Sequence, residues 1–149
     1  MRFRGRSLRT LDPKARLMIP PEFRDIVFAR CAEGKFVLTT YDGCLVGFPQ
    51  PDWKEFEEQL MQIHNAQTSV RNFRRLVIGG AEELLLDNQG RIRLSQAHRE
   101  YAGLKKDVML VGQLQKFEIW APERLRIMME QNFQDVAQEL EARGIDVPL

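Results

Sequence analysis

The sequence has little that points to catalysis, metal binding or cofactor binding. Its 149 residues include two cysteines, Cys31 and Cys44, which form no CxxC pair, and two histidines without metal-ligand spacing, His64 and His98. We recognise no Ser/His/Asp set, no Cys–His pair and no glycine-rich phosphate loop. The sequence therefore predicts no catalytic residues, no enzyme activity, no metal, no cofactor and no small-molecule substrate. Both cysteines are expected to be buried structural thiols.

Long apolar runs are missing as well. No segment approaches the roughly 18 consecutive apolar residues of a membrane-spanning helix, and the N-terminus lacks the apolar core of a signal peptide. These absences predict no membrane partner and a cytoplasmic location. The apolar and charged fractions are those of a soluble globular chain that needs neither a disulfide nor a metal to fold.

The charge is nearly balanced in total but unevenly distributed. The net charge is +1, yet residues 1–24 contain seven Arg or Lys against two acids, and residues 117–149 contain seven acids against three Arg. A basic head and an acidic tail favour a polyanionic partner at one end of the molecule. The alternative is a solvated basic face without a partner.

One short pattern occurs twice. The first copy runs from Asp12 through Pro13-Lys14-Ala15 to Arg16, and the second runs from Asp87 through Asn88-Gln89-Gly90 to Arg91. Residues 11–25 align with 86–100 at an offset of 75, and residues 35–52 align with 106–123 at an offset of 71. This order of matches indicates an internal duplication. One copy has too little core to fold alone, so the two are expected to close on each other.

Each copy is predicted to be strand, Asp-turn-Arg, strand, short helix, hairpin and helix, which gives an α+β, mainly β fold. Strands are expected within 3–11, 35–40 and 44–48, with a short helix at 21–29 and a longer one capped by Asp52. Val70, Phe73 and Val77 indicate a further short helix. The chain should end with one long amphipathic helix from Pro122 to Gly144, which packs between subunits or covers its own barrel.

Three interpretations of the Asp-turn-Arg pattern compete. The two Asp residues could form an acid–base dyad, but an Arg four positions after each would keep both carboxylates ionised. The pairs could simply hold two hairpins together, as many surface ion pairs do. In the third interpretation Asp12 orders a turn from which Lys14 and Arg16 contact DNA, since β-ribbons fit the major groove and Arg can contact guanine through two hydrogen bonds.

Several motifs in order resemble the MraZ family. They include Asp12-x-x-x-Arg16 with Pro20-x-x-x-Arg24, their second copies ending at Arg91 and Arg99, and Val111-Gly112-Gln113-x-x-Lys116-Phe117. The resemblance spans roughly residues 1–125 and implies two AbrB-like (SpoVT-AbrB) swapped-hairpin β-barrel halves in a pseudo-two-fold arrangement. The implied boundaries are 5–52 for the first repeat, 53–80 for a helical connector, 81–124 for the second repeat and 125–149 for a C-terminal helix and tail.

The resemblance also implies a transcriptional regulator of the division and cell-wall gene cluster. Such a protein would bind double-stranded DNA at direct repeats in the promoter, assemble with itself into rings and associate with the nucleoid. Asp12 and Asp87 would order the two turns, and the DNA contacts would be Lys14, Arg16, Arg24, Arg4, Arg6, Arg91 and Arg99. Arg24 could alternatively pair with Asp12. A protein-interaction or antitoxin-type module is the other function that such a barrel suggests.

The sequence departs from the family pattern in both turns. Ala15 stands where glycine is expected, so a positive φ there would strain the first turn by about 1 kcal/mol. The second turn keeps Gly90 but has Gln89 in place of Lys14, and Ser95 occupies the position of Pro20. We therefore expect the first turn to be the stronger DNA contact.

Overall fold

The order of the elements follows the duplication in this computed structural model, which describes residues 1–149. The first repeat contains β1 (Arg6–Thr10), β2 (Arg16–Met18), α1 (Pro21–Arg30), β3 (Lys35–Tyr41), β4 (Cys44–Pro49) and α2 (Gln50–Met61). Helix α3 (Thr68–Val77) follows. The second repeat contains β5 (Glu82–Leu85), β6 (Arg91–Arg93), α4 (Gln96–Ala102), β7 (Asp107–Gln113), β8 (Lys116–Trp120) and α5 (Pro122–Met129). Helix α6 (Val136–Ala142) comes last. The predicted α+β, mainly β class is confirmed.

The strands form two antiparallel sheets to which both repeats contribute. The larger sheet has six strands in the order β1-β7-β8-β4-β3-β5, and the smaller is a ribbon of β2 and β6. The first strand of each repeat pairs with the hairpin of the other repeat, β1 with β7 and β5 with β3. Neither repeat therefore completes its own sheet.

The pairing registers correct one part of the sequence alignment. Thr10 pairs with Asp107, and Leu85, which lies 75 positions after Thr10, pairs with Lys35. Lys35 and Asp107 are thus equivalent, which makes the offset of the hairpins 72 rather than 71. The alignment of 35–52 with 106–123 was wrong by one residue, and a shift of one residue reverses the face of every side chain in a strand.

The main core lies between the two repeats. The rings of Phe3, Phe23 and Phe36 come from the first repeat and pack against Phe117 of the second, with centroids 5.3 to 5.8 Å from that ring. Phe3, Phe36 and Phe117 are almost fully buried, and burying such a ring contributes about 1.5–3 kcal/mol. Since these aromatic contacts cross from one repeat to the other, the core depends on both copies.

The predicted single C-terminal helix is wrong. Helix α5 ends at Met129, and α6 begins at Val136 after a break. The side chain of Asn132 accepts a hydrogen bond from the backbone N–H of Gln134 at 2.9 Å. Such local Asn hydrogen bonds compete with helical ones. The backbone is therefore not helical here, although the apolar periodicity of the sequence continues across the segment.

Two smaller predictions also differ from the structure. Asp52 is not an N-cap, because α2 begins at Gln50 after Pro49, and the Asp52 carboxylate instead binds the guanidinium of Arg30. Cys44 is buried as expected, but Cys31 is half-buried, and both thiols are free. None of the helices combines the length and apolar character needed to cross a bilayer.

Candidate nucleic-acid interface

The first Asp-turn-Arg segment is a closed, hydrogen-bonded loop. Asp12 Oδ1 accepts the backbone N–H groups of Lys14 and Arg16, both at 2.9 Å, and Asp12 Oδ2 accepts Arg16 Nε at 2.6 Å. The N–H of Ala15 donates to the carbonyl of Asp12 at 2.9 Å. Ala15 has φ 60°, so the positive φ on which the expected strain depends is present. The loop exposes Lys14 and fixes the direction of the Arg16 side chain.

The second segment repeats this geometry with different side chains. Asp87 Oδ1 accepts the N–H groups of Gln89 and Arg91 at 2.8 and 2.9 Å, and Asp87 Oδ2 accepts Arg91 Nε at 3.1 Å. Gly90 has φ 78°. In both loops the carboxylate makes all these contacts within its own turn, which leaves neither Asp in the arrangement of an acid–base dyad.

The environment of the two carboxylates favours their charged form. The backbone N–H of Arg16 is the main cause that lowers the pKa of Asp12, and the Arg16 guanidinium and the N–H of Lys14 act in the same direction. The pKa of Asp87 is lowered chiefly by the backbone N–H of Arg91. The carboxylates are therefore ionised as expected, although backbone donors rather than the guanidinium groups are the principal reason.

The two loops lead into opposite ends of the β2–β6 ribbon. The Leu94 N–H donates to the carbonyl of Ala15 at 2.9 Å, and the Ile19 N–H donates to the carbonyl of Gly90 at 3.0 Å. Each turn is thus hydrogen-bonded to the other repeat, and the ribbon holds both turns in one fixed relation.

The outer face of the ribbon is basic. Leu17 and Ile92 are buried, so the residues on either side of them in each strand face the opposite way. Those residues are Arg16, Met18, Arg91 and Arg93, with Arg16 directly opposite Arg93 in the pairing register. Like charges opposite each other across two strands are destabilising, and Arg93 has no acidic partner. An anion at this face would relieve the repulsion.

Sequence reasoning missed Arg93. It is exposed and lies two positions after Arg91 in the same short strand, so the period of two in a β-strand was the signal that could have identified it. Arg91 matches Arg16 in the repeat, whereas Arg93 matches Met18, so the repeat alone does not identify Arg93.

Arg24 and Arg99 lie beside the turn of the other repeat. A side chain added at Gly90 would meet the Arg24 guanidinium, and Arg99 lines an open groove together with Asp12, Pro13 and Ala15. The Nε atoms of both arginines are buried and have no hydrogen-bond partner. The alternative that Arg24 pairs with Asp12 is wrong, because no ion pair joins them and the Asp12 carboxylate pairs with Arg16.

The groove at the first turn contains more positive charge than sequence reasoning assigned to it. Its volume is about 590 Å³, and Lys105 and Lys106 line it in addition to Arg99. The equivalent positions in the first repeat, beside the second turn, are Glu33 and Gly34, as shown by the matched hydrogen bonds Leu11 N–H to Lys106 O and Leu86 N–H to Gly34 O. The first turn is therefore the more basic of the two.

Arg4 and Arg6 lie apart from this cluster. Arg6 begins β1, whereas the first turn follows the other end of that strand. At about 3.3 Å per residue, Arg6 and Asp12 are about 20 Å apart along the chain. The Arg6 guanidinium lies 3.0 Å from Met129 Sδ of α5. The structure thus brings together Lys14, Arg16, Arg91, Arg24 and Arg99, but not Arg4 and Arg6.

The chain matches known proteins over nearly its whole length. A family model described as "MraZ protein, putative antitoxin-like" matches twice, at residues 3–76 and 77–147. The transcriptional regulator MraZ of Nitratidesulfovibrio vulgaris (strain Hildenborough) is 58% identical over 146 residues, which is 98% of each chain. The protein of the same name from Oleidesulfovibrio alaskensis is 53% identical over all of both chains, and that of Thioalkalivibrio sulfidiphilus is 47% identical over 79% of each.

These matches extend further than the motifs did. The resemblance was expected to stop near residue 125, but the second family match continues to residue 147 and so includes α6. The two tandem matches together cover most of the sequence and agree with the duplicated elements of the fold. Two of the relatives are more than half identical to this chain. The chain belongs to the MraZ family.

Proposed function

We propose that this protein is a sequence-specific DNA-binding transcriptional regulator that contacts duplex DNA through the outer face of the β2–β6 ribbon and its two turns. The observation that carries the proposal is the placement of Arg16, Arg91 and Arg93 on one exposed face. A two-stranded ribbon fits the major groove, and Arg is the side chain best suited to contact guanine through paired hydrogen bonds.

Each basic residue has a role in this interface. Arg16 and Arg91 are held by Asp12 and Asp87, so their guanidinium groups are oriented before DNA binds, which lowers the entropic cost of ordering them. Lys14 at the tip of the first turn, Arg24 and Arg99 beside the turns, and Lys105 and Lys106 in the groove contact phosphates. Arg4 and Arg6 contact phosphates only if the DNA extends along β1.

The two repeats form the AbrB-like swapped-hairpin halves of one barrel, related by a pseudo-two-fold axis. In support, the strand order β1-β7-β8-β4-β3-β5 is unchanged when the equivalent strands of the two repeats are exchanged and the order is reversed. The proposed units are 5–52 and 81–124, with 53–80 as a helical connector and 125–149 as a C-terminal segment.

The DNA target is a set of direct repeats in the promoter of the division and cell-wall gene cluster, which places the protein in the cytoplasm at the nucleoid. One chain offers a small basic face, so several copies assembled in a ring on spaced repeats supply the affinity. Linked binding of this kind can strengthen binding by about 10²–10⁴-fold. The relatives carry the name transcriptional regulator, which supports a regulatory rather than an enzymatic role.

Salt titration of DNA binding tests the electrostatic part of the proposal. With a promoter fragment that contains direct repeats, the logarithm of the binding constant should fall linearly with the logarithm of the salt concentration. The slope should be about −0.9 for each phosphate neutralised. A flat plot would show that the basic face does not bind the DNA backbone.

Arg16→Ala tests the location of the interface. It should abolish binding to the promoter fragment and leave the oligomer mass unchanged, since Arg16 is on the outer face and makes no core contact. Lys54→Ala is the matched control, because it removes one positive charge from an exposed site on α2 and should bind DNA normally. If Arg16→Ala still binds the fragment, the DNA-binding site lies on another surface of the protein.

An antitoxin-type role is the second candidate, and the family description names it. An antitoxin would bind one protein partner in a fixed ratio through the segment outside the barrel. A stoichiometric protein that co-purifies with the full chain in the absence of DNA, and is lost when residues 130–149 are removed, would favour this role.

A further inference from the structure

The C-terminal tail, residues 130–149, packs little of its surface against the rest of the chain. No residue of α6 is buried, and Phe133 just before it has 56% of its surface exposed. The tail contains five acids and one Arg. A helix of seven residues has little stability by itself, so α6 needs a surface that accepts its apolar residues, chiefly Phe133, Val136 and Leu140.

A groove between α2 and α3 has the charge opposite to that of the tail, and it also has an apolar wall. Its volume is about 520 Å³, and its walls combine the apolar Leu60, Met61 and Ile78 with the basic Arg71, Arg74 and Arg75. None of these three arginines forms an ion pair in the chain, and Met61 has 74% of its surface exposed. Glu57 is the only acid at the groove.

We propose that the tail of one copy of this chain docks in the α2–α3 groove of a second copy. The acids of the tail would pair with the three arginines, and Phe133, Val136 and Leu140 would cover the apolar wall. This inference deepens the proposed self-assembly and rests on it. The apolar wall distinguishes a protein segment from DNA as the occupant, because phosphates and sugars gain little from exposed Met and Leu side chains.

The tail of the same chain does not occupy the groove, whose lining includes no residue of 130–149, and this favours a second copy as the occupant. Met129, where the tail departs, contacts Arg6 of β1 at one edge of the six-stranded sheet. Helix α3 packs on β3, and its carbonyl groups at Leu76 and Val77 accept hydrogen bonds from Thr40 and Thr39 of that strand. Strand β3 is four strands away from β1 in this sheet, which is about 19 Å measured along the sheet at about 4.8 Å per strand. Surfaces at opposite edges give a head-to-tail contact, which builds rings or filaments.

A mixed-copy disulfide experiment tests the contact directly. One protein carries Met61→Cys, and a second, of different mass through a tag, carries Leu140→Cys. Both carry Cys31→Ser, and Cys44 stays because burial raises its pKa well above the ordinary thiol value, so that it is unreactive. Mild oxidation of the mixture, without DNA, should give a disulfide between the two proteins. The parent Cys31→Ser protein should give none.

Charge reversal provides an independent measurement. Arg71→Glu with Arg74→Glu, or Glu139→Arg with Glu141→Arg, should each raise the protein concentration at which the oligomer half-dissociates by about tenfold or more. Combining all four substitutions should restore assembly. Lys54→Glu, outside the groove on the same helix α2, should leave the oligomer mass unchanged by sedimentation.

The outcomes separate this inference from the proposed DNA binding. A third protein carries Met61→Cys, Leu140→Cys and Cys31→Ser in one chain. A disulfide that forms within this protein but not between the two mixed proteins, or no disulfide in either case, overturns the contact between copies. Weaker DNA binding by the Arg71/Arg74 variant at unchanged oligomer mass also overturns it, and assigns the groove to DNA. If the disulfide forms but the promoter fragment is not bound, the docking stands and the DNA-binding function fails.

Discussion

Gly90→Ala tests how tightly the two repeats are fitted at the second turn. Gly90 is buried and has φ 78°, a conformation that glycine adopts freely and alanine does not. A methyl group there would overlap the Arg24 guanidinium and Cδ. The equivalent residue of the first turn is already alanine, with φ 60°, so the same backbone shape tolerates a methyl group when its surroundings leave room.

The expected loss of stability follows from three contributions. The left-handed conformation costs a non-glycine residue about 1–2 kcal/mol. The reduced freedom of the unfolded chain offsets about 0.4–1 kcal/mol of this. Displacement of Arg24, whose Nε is buried without a partner, adds a steric cost, and the total destabilisation is about 1–2 kcal/mol.

A double-mutant cycle isolates the steric part. Urea unfolding of the parent protein, Gly90→Ala, Arg24→Ala and the combined variant gives four free energies of unfolding at one protein concentration. Gly90→Ala should cost less when Arg24 is already alanine, because the overlapping atoms are gone. An equal cost in both backgrounds would refute the proposed clash, and no cost in either would refute the strain as well.

Three further predictions concern the turns and the ribbon. Ala15→Gly should change the melting temperature and the DNA affinity, because it relieves a strained φ at the turn proposed to face DNA, and two unchanged values would contradict the strain. The lowered pKa values of Asp12 and Asp87 mean that their stabilisation is present above the unfolded-state value of about 3.9 and is lost as pH falls through the folded value. Urea unfolding of Asp12→Asn/Asp87→Asn should therefore depend less on pH below about 4, and an equally steep dependence would count against it. Arg93→Ala should weaken DNA binding and, if Arg93 contacts one phosphate, lower the salt slope by about 0.9, while an unchanged slope with weaker binding to one operator only would indicate a base contact.

The local features of this fold were predictable, but the register was not. Turn residues and apolar periodicity placed most of the strands and helices close to their observed positions. The alignment of residues 35–52 with 106–123 was wrong by one residue because it paired two identical residues, Val37 and Val108. Val108 is buried in the main core, as is Phe36, to which it corresponds. Comparison of the alternating faces, rather than residue identities, would have favoured the correct offset.

The sequence pattern does not predict which strands pair between the two repeats. Nothing in β1 or β5 specifies that each pairs with the other repeat's hairpin, because many strands of similar composition can pair. The equivalent positions of Arg16 and Arg91, each paired with the Asp of its own turn, were predictable because they recur in the repeat. Lys105 and Lys106 were not predicted as site residues, since they come close to the first turn only through the pairing of β1 with β7.

The fusion of two unlike repeats in one chain gives the molecule a direction. A dimer of identical single repeats would present equal turns, and turning it end over end on a duplex would change nothing. Here one end of the ribbon has Lys14 with Lys105 and Lys106 nearby, and the other has Gln89 and, by equivalence, Glu33. On DNA bound as proposed, the chain would have a front and a back, and successive copies that face the same way would match a target whose units also face the same way.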